Sequence, residues 1–96
     1  MLTTEKIKSV LKNKEPDLKA KYPIEYMAIF GSYARGQQNG GSDIDLLIDF
    51  NGPMGLRFID LAEELEKLLD SKVDLICRKG LEQSFWNNIK NDLVYV

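Results

Sequence analysis

The sequence predicts an α+β fold, an α/β sandwich in which a small β-sheet is covered by helices. Apolar periodicity changes type along the chain and gives helices, strand, strand, helix, strand and helix, an order that suits such a layered domain. Ninety-six residues are enough for one modest core and too few for a catalytic domain with a separate substrate-binding domain. We find no repeat, low-complexity segment or interdomain linker, so residues 1–96 are expected to form a single domain.

The N-terminal segment is expected to be helical. Thr3 can cap a helix that spans residues 2 to about 13, and Leu2 and Ile7 can form a hydrophobic staple across its first turn. Pro16 is expected to end this helix or to begin a shorter one that reaches about residue 22, because proline lacks an N–H and clashes with the preceding turn.

Two strands are expected next, joined by the polar, glycine-rich loop QQNGGS. Residues 26–30 form a compact apolar run that ends at Gly31, as a buried strand does. Residues 44–50 alternate, so one side of this strand is apolar and the other carries carboxylates. The apolar side comprises Ile44, Leu46, Ile48 and Phe50, and the other side comprises Asp43, Asp45, Leu47 and Asp49.

The second half of the chain predicts a helix, a strand and a helix. Apolar residues recur at helical spacing over residues 56–70 and form one stripe. Residues 72–78 read as a strand with Val73, Leu75 and Cys77 on one face and Asp74 and Ile76 on the other. A last helix over about 81–92 leaves LVYV as a tail or a short strand.

Composition excludes several kinds of site. With no histidine and one cysteine, Cys77, the chain cannot form an internal disulfide or the usual zinc and thiolate–imidazole sites, so its acid–base chemistry must rest on carboxylates. A net charge of −2 argues against direct nucleic-acid binding, which needs a basic surface. No apolar run approaches a membrane span, and the start MLTTEKIKSV lacks the apolar stretch of a signal peptide. We therefore expect a cytoplasmic protein without a membrane partner.

Three aspartates are candidate metal ligands. Residues i and i+2 of a strand point the same way, so Asp43 and Asp45 can converge on one ion. Oxygen ligands without histidine or cysteine favour Mg²⁺ or Mn²⁺ over zinc. If the strand of Asp74 lies beside that of Asp45, three carboxylates meet on one surface. The alternative is that they are solvated residues of an exposed sheet face, which is what we expect of Asp49.

The glycine turn before these aspartates suits a phosphate. Gly31 lets a ligand approach the backbone closely, and Ser32 adds a hydroxyl donor at the start of the YARG segment. The segment is not a P-loop, because Gln37 and Gln38 stand where that motif needs Lys and Ser or Thr. Taken alone, a glycine at a strand end is often only a turn.

The combination Gly-Ser-x10-Asp-x-Asp, with Asp74 on a later strand, resembles the nucleotidyltransferase superfamily of the DNA polymerase β type, in particular its minimal, stand-alone members. The segments FGSYARG, GGSDIDLLIDF, KVDLI and NDLVYV match that family in order and spacing, as does the helix over residues 56–70. The resemblance implies the DNA polymerase β-like nucleotidyltransferase fold, with a small mixed sheet.

The resemblance also implies roles for five residues. Asp43 and Asp45 would bind two Mg²⁺ ions with the nucleotide triphosphate, and Asp74 would complete the second metal site. Gly31 and Ser32 would hold the β and γ phosphates.

Several neighbouring residues are open to two interpretations. Arg35 could bind a nucleotide phosphate or pair with a local carboxylate, and Ser42 is expected to shape the turn and orient Asp43 at the nucleotide site. Tyr33 is expected in the core rather than at the nucleotide. Phe85 and Trp86 are expected to pack rather than to stack on a base.

The acceptor is the part of the reaction that the residues leave open. Minimal nucleotidyltransferases of this kind are commonly encoded beside a HEPN-domain ribonuclease toxin, so the resemblance implies AMP transfer from ATP to a toxin tyrosine and a hetero-oligomer with that toxin. Two alternatives stay open: a non-catalytic, nucleotide-binding antitoxin that acts by complex formation, and a small-molecule adenylyltransferase of the aminoglycoside-modifying kind.

Overall fold

The computed structural model describes residues 2–96, in which four helices and four strands alternate. They are α1 (Thr4–Lys21), β1 (Ile24–Phe30), α2 (Gly31–Ala34), β2 (Ile44–Phe50), α3 (Arg57–Leu69), β3 (Val73–Cys77), α4 (Gln83–Ile89) and β4 (Val94–Tyr95). Within this part of the chain, no helix has both the length and the apolar composition that crossing a bilayer requires.

The four strands form one sheet in the order β3-β2-β1-β4. The sheet is mixed, as predicted. β1 pairs antiparallel with β2 and with β4, whereas β2 and β3 run parallel. A parallel pair needs a long crossover between its strands, and α3 supplies it here. The sheet therefore places β2 between β1 and β3, where its residues have neighbours on both sides.

Strand β2 separates two apolar clusters, and its alternation assigns each side chain to one of them. The predicted apolar side faces the larger cluster, which also contains side chains of α1 and α3. On the other side, Leu47 packs with Phe30 and with Ile89 of α4 in a smaller cluster. Because Asp45 and Leu47 are two residues apart on the strand, the Asp45 carboxylate shares the face on which the smaller cluster lies.

Helix α1 runs without interruption through Pro16, so the predicted break there was wrong. Leu18 is 1% exposed in the same cluster as Leu11, and Tyr22, the C-cap of α1, is 8% exposed there, so the segment after the proline is needed in the core. Burying each such side chain stabilises by about 1.5–3 kcal/mol, which offsets the roughly 3 kcal/mol that an interior proline costs.

The predicted start of α1 is confirmed in its cap. Thr3 is the N-cap, and its side chain accepts a hydrogen bond from the Lys6 N–H at 3.1 Å. Leu2 and Ile7 both pack on the larger cluster, in agreement with the expected staple.

Other boundaries differ from the prediction by a few residues. β1 begins at Ile24 rather than residue 26, with an irregular register between Ile24 and Tyr26 where it pairs with β2. α4 is shorter than the predicted 81–92, because the chain turns after it to add β4 beside β1. The sequence LVYV thus contains a short strand, one of the two expected outcomes.

Candidate active site

The glycine turn lies directly against the aspartate of β2. β1 leads into α2 at Gly31, whose φ of +72° is unfavourable for residues with a side chain. A Cβ added at Gly31 would overlap the Asp45 Oδ2 atom and lie 3.0 Å from Asp45 Cγ. The backbone conformation and this overlap both favour glycine, and the structure brings together two motifs that ten residues separate in the sequence.

The three candidate metal ligands lie at the same end of β2 and β3. In the parallel pairing of these strands, Asp45 lies beside Asp74, while Asp43 immediately precedes β2. Asp43 and Asp74 are exposed, and Asp45 is half-buried. The strand of Asp74 therefore lies beside that of Asp45, as the three-carboxylate hypothesis requires.

The electrostatics of this group centre on Asp45. Partial burial raises the pKa of the Asp45 carboxyl above its ordinary value of 3.8, and the charges of Asp74 and Asp43 raise this pKa further. The positive charge of Arg35 acts in the opposite direction on the same pKa. Ionised Asp45 is thus destabilised by its surroundings, and a cation bound nearby would relieve that destabilisation.

The donor chemistry of the site fits magnesium, although the side chains are not gathered around one point. Carboxylate oxygens are the ligands that Mg²⁺ prefers. Among residues 2–96, however, no three acidic, histidine or cysteine side chains stand close enough to hold a single ion as they are placed. Asp74 and Asp43 can still raise the pKa of Asp45 without sharing one ion with it, because charge repulsion acts over longer distances than metal coordination. Asp43, Asp45 and Asp74 are the residues that would hold the metal.

The loop residues around the carboxylates have the following places. Arg35 is exposed, and its Nε donates a hydrogen bond to Gln37 Oε1 at 3.2 Å. In the described part of the chain Arg35 makes no ion pair, so its charge reaches Asp45 only at longer range. Ser42 closes the loop before β2: the Asn39 N–H donates to Ser42 Oγ at 3.0 Å, and the Ser42 N–H donates to the Asn39 carbonyl at 3.1 Å. The predicted turn-shaping role of Ser42 agrees with these bonds.

Asp49 is not the solvated residue that the sequence predicted. Its side chain is 14% exposed and lies 3.8 Å from Lys79 Nζ, and it accepts a hydrogen bond from the Phe50 N–H at 2.9 Å. Lys79 also donates to the Phe50 carbonyl at 2.6 Å. Lys79 follows β3, and only the parallel pairing of β2 and β3 brings it to the end of β2. Asp49 therefore has a structural role at the sheet end opposite the other three aspartates.

The aromatic residues divide into buried and exposed ones. Tyr33 is 5% exposed in the larger cluster, in agreement with the expected core position. Trp86 packs on the smaller cluster, with the Arg78 guanidinium 4.0 Å from its ring centroid. Phe85 packs edge-on against Phe30, with ring centroids 6.1 Å apart, but is itself 39% exposed. Both aromatic residues of α4 pack on other side chains, as expected, but Phe85 also remains exposed.

Comparison with known proteins gives consistent matches over the whole chain. Residues 6–96 match the family described as nucleotidyltransferase domain. A protein of Thermococcus cleftensis named protein adenylyltransferase MntA is 38% identical over 97 residues, covering 100% of this chain and 98% of the relative. A candidate protein adenylyltransferase of Methanocaldococcus jannaschii is 42% identical over 100 residues and covers all of both chains.

Two solved structures have the same fold. A candidate minimal nucleotidyltransferase superposes with a TM-score of 0.80 and 28% identity, over 97% of this chain and 95% of that chain. A chain of a toxin–antitoxin structure with AMP-PNP superposes with a TM-score of 0.70 and 25% identity, over 98% of this chain and 72% of that chain. The mixed sheet and its helices thus have the architecture of minimal nucleotidyltransferases, the DNA polymerase β-like fold.

Proposed function

Because the chain belongs to the nucleotidyltransferase domain family and is a transferase, we propose that it moves AMP from ATP to a hydroxyl group of a partner protein and thereby acts as an antitoxin. One observation carries this proposal. The Gly31 turn, which suits phosphate, is in contact with Asp45, and Asp45 lies beside Asp74. A phosphate subsite next to neighbouring carboxylates is what transfer of a nucleotide requires.

The residues have separate tasks in the proposed transfer. Gly31 and Ser32 bind the β and γ phosphates and so fix the α phosphorus beside the carboxylates. Asp43 and Asp45 would hold two magnesium ions, and Asp74 would complete the second site. Magnesium bound there would offset the negative charge of the triphosphate and the charge that develops during the transfer. Arg35, whose charge is already felt by Asp45, would stabilise the phosphates as a long-range cation, and Ser42 would keep the loop before Asp43 in place.

The bond changes of the proposed reaction are those of an in-line displacement. The acceptor oxygen forms a bond to the α phosphorus of ATP while the bond from this phosphorus to the pyrophosphate oxygen breaks. The hydroxyl proton leaves to solvent, and the products are the AMP ester and pyrophosphate. The exposed side chains of Asp43 and Asp74 leave this end of the sheet open, which gives a protein-borne hydroxyl access to it.

The acceptor that we propose is a tyrosine of a HEPN-domain ribonuclease toxin. Two relatives that span this chain carry the name protein adenylyltransferase, one at 38% identity without qualification and one at 42% identity as a candidate. The likeness to a toxin–antitoxin structure supports a toxin as partner. An AMP group adds a bulky anion, which would repel RNA from a nearby cleavage site. The protein would then work in the cytoplasm as part of a hetero-oligomer, without binding nucleic acid itself.

A second candidate function has a specific observation in its favour. Because no three metal-ligating side chains in residues 2–96 surround one point, the site could bind nucleotide without transferring it. The protein would then neutralise its partner by forming a complex. The two functions differ in what they require of Asp43, because complex formation alone needs no metal ligand.

The test is transfer of label from ATP carrying radioactive phosphorus at the α position. We would incubate the protein with Mg²⁺ and native lysate of the source organism, using wild type, Asp43→Asn and Asp17→Asn as a control in an exposed part of α1. Wild type and Asp17→Asn are expected to label the same protein band, and Asp43→Asn is expected to label none. Absence of label with wild type, together with full neutralisation of the partner by Asp43→Asn, would favour the binding function instead.

A further inference from the structure

We propose that Phe85 is the residue on which the base of the nucleotide stacks. The inference rests on the proposed function, because it takes the phosphates of ATP to lie at Gly31 and Ser32. It goes beyond that function by assigning to α4, which the sequence assigned only to packing, a part in nucleotide affinity.

The position of Phe85 follows from the register of the sheet. Phe30 is the cross-strand partner of Asp45 in the antiparallel pairing of β1 and β2. Side chains of directly opposed residues point to the same face, so the Phe30 ring and the Asp45 carboxylate are neighbours on one face. The Phe85 ring lies edge-on to the Phe30 ring with centroids 6.1 Å apart. Phe85 is thus one side chain removed from the central carboxylate.

The exposure of Phe85 is the second observation. Four large apolar side chains of residues 2–96 are markedly exposed, and Phe85 at 39% is the one that contacts a cross-strand partner of a candidate metal ligand. Leu56 and Ile59 lie at the start of α3, which packs on the opposite face, and Tyr95 lies on the edge strand β4. Trp86, next to Phe85, is instead turned into the smaller cluster beneath Arg78.

The chemistry that Phe85 offers is that of an aromatic surface without hydrogen-bond groups. Gly31 follows Phe30 directly, so the phosphate turn and the Phe85 ring flank the same Phe30–Asp45 pair. A nucleotide whose phosphates lie at the turn could extend its base to the exposed ring. Stacking on an aromatic side chain is favourable for every base, because every base has a π-face. Phe85 would therefore raise affinity for ATP and GTP alike without choosing between them.

The experiment compares two ligands by isothermal titration calorimetry in the presence of Mg²⁺. One is the non-transferable analogue α,β-methylene-ATP, and the other is inorganic tripolyphosphate, which has phosphates but no base. The variants are Phe85→Leu, Phe85→Tyr and Phe58→Leu. Phe58 is a matched control, because its ring also lies edge-on to another phenylalanine, Phe50, at 6.1 Å, but in the larger cluster on the opposite face.

Phe85→Leu is expected to weaken binding of the analogue by about tenfold, within the range of roughly 5- to 150-fold that loss of a base–aromatic stack produces. The affinity for tripolyphosphate should stay unchanged. Phe85→Tyr, which keeps the ring, and Phe58→Leu should bind both ligands as wild type does. If Phe85→Leu does not fold, Phe85→Met takes its place.

Three results would overturn the inference, and they are distinguishable. Wild-type affinity of Phe85→Leu for the analogue would show that the ring contributes nothing to binding. Equal loss for both ligands would show that Phe85 only supports the phosphate turn. Failure of the wild type to bind either ligand would overturn the proposed function as well, whereas the first two results leave it intact.

Discussion

Replacing Gly31 by alanine tests the contact that joins the two halves of the candidate site. An alanine at φ +72° costs about 1–2 kcal/mol, because its Cβ crowds the following carbonyl oxygen. The new Cβ also overlaps Asp45 Oδ2, and overpacking of this kind costs about 1–3 kcal/mol. Together these terms predict a loss of about 2–5 kcal/mol, a large part of the roughly 5–15 kcal/mol that stabilises a small domain.

Gly36 provides the matched control for the backbone term. Its φ is +68°, and a Cβ added there has no heavy atom within 4 Å. Gly36→Ala is therefore expected to cost only about 1–2 kcal/mol. Urea unfolding of both variants at pH 7 without metal gives the two costs from the midpoint and slope of each transition.

A double-mutant cycle separates the overlap from every other effect of Gly31→Ala. Asp45→Ala removes the Oδ2 and Cγ atoms and leaves only the Asp45 Cβ, 3.3 Å from the added methyl group. In the Asp45→Ala background, Gly31→Ala should therefore lower the free energy of unfolding by about 1–3 kcal/mol less than it does in the wild type, because the overlap with Oδ2 is gone. If Gly31→Ala costs no more than Gly36→Ala, or if the two substitutions are additive, the contact between Gly31 and Asp45 does not exist as described.

Three further predictions concern stability. Asp45→Asn is expected to raise the free energy of unfolding in metal-free buffer at pH 7, because the raised pKa of Asp45 means that its ionised form opposes folding. This gain in stability should shrink as the pH falls towards 3.8, which urea unfolding at several pH values would measure. Pro16→Ala should stabilise by about 2 kcal/mol in urea unfolding, from the roughly 3 kcal/mol cost of an interior proline less about 1 kcal/mol for the freer unfolded chain. Thr3→Ala should lose about 1 kcal/mol in the same assay, with Thr3→Ser as the control that keeps the cap.

Each of these three predictions has a result that would contradict it. A stability difference between Asp45→Asn and wild type that grows on acidification would reverse the sign of the pKa argument. A loss of stability in Pro16→Ala would mean that the proline fits the helix without cost. Equal stability of the alanine and serine variants at Thr3 would show that the hydroxyl does not act as a cap.

The sequence predicts those features that depend on neighbours along the chain. The alternation of residues 44–50 assigns every side chain of β2 to the correct face, and it therefore predicts the carboxylate surface before the strand order is known. The cap at Thr3 is equally local. Pro16 was misjudged because the outcome depends on Leu18, whose burial against the rest of the core outweighs the local preference.

Features that depend on contacts between distant residues were missed or only half predicted. The ion pair of Asp49 with Lys79 exists because β2 and β3 run parallel, and no local pattern at Asp49 indicates it. Gly31 was recognised as a glycine that suits phosphate, but its contact with Asp45 appears only when β1 and β2 pair.

The placement of Asp45 connects the stability of the protein with its proposed activity. Asp45 is half-buried, beside Asp74 and near Asp43, so ionising its carboxyl costs more free energy than ionising a solvated one. The same place favours glycine at position 31, which is a second local constraint on the fold. Such a locally unfavourable arrangement is expected where function requires it and unexpected where only stability matters. No cationic side chain in residues 2–96 forms an ion pair with Asp45. A cation that binds beside Asp45 would therefore relieve its repulsion with Asp74 and Asp43, and this relief would add to the free energy of cation binding. The same repulsion that makes Asp45→Asn more stable should therefore make the wild type the better metal binder.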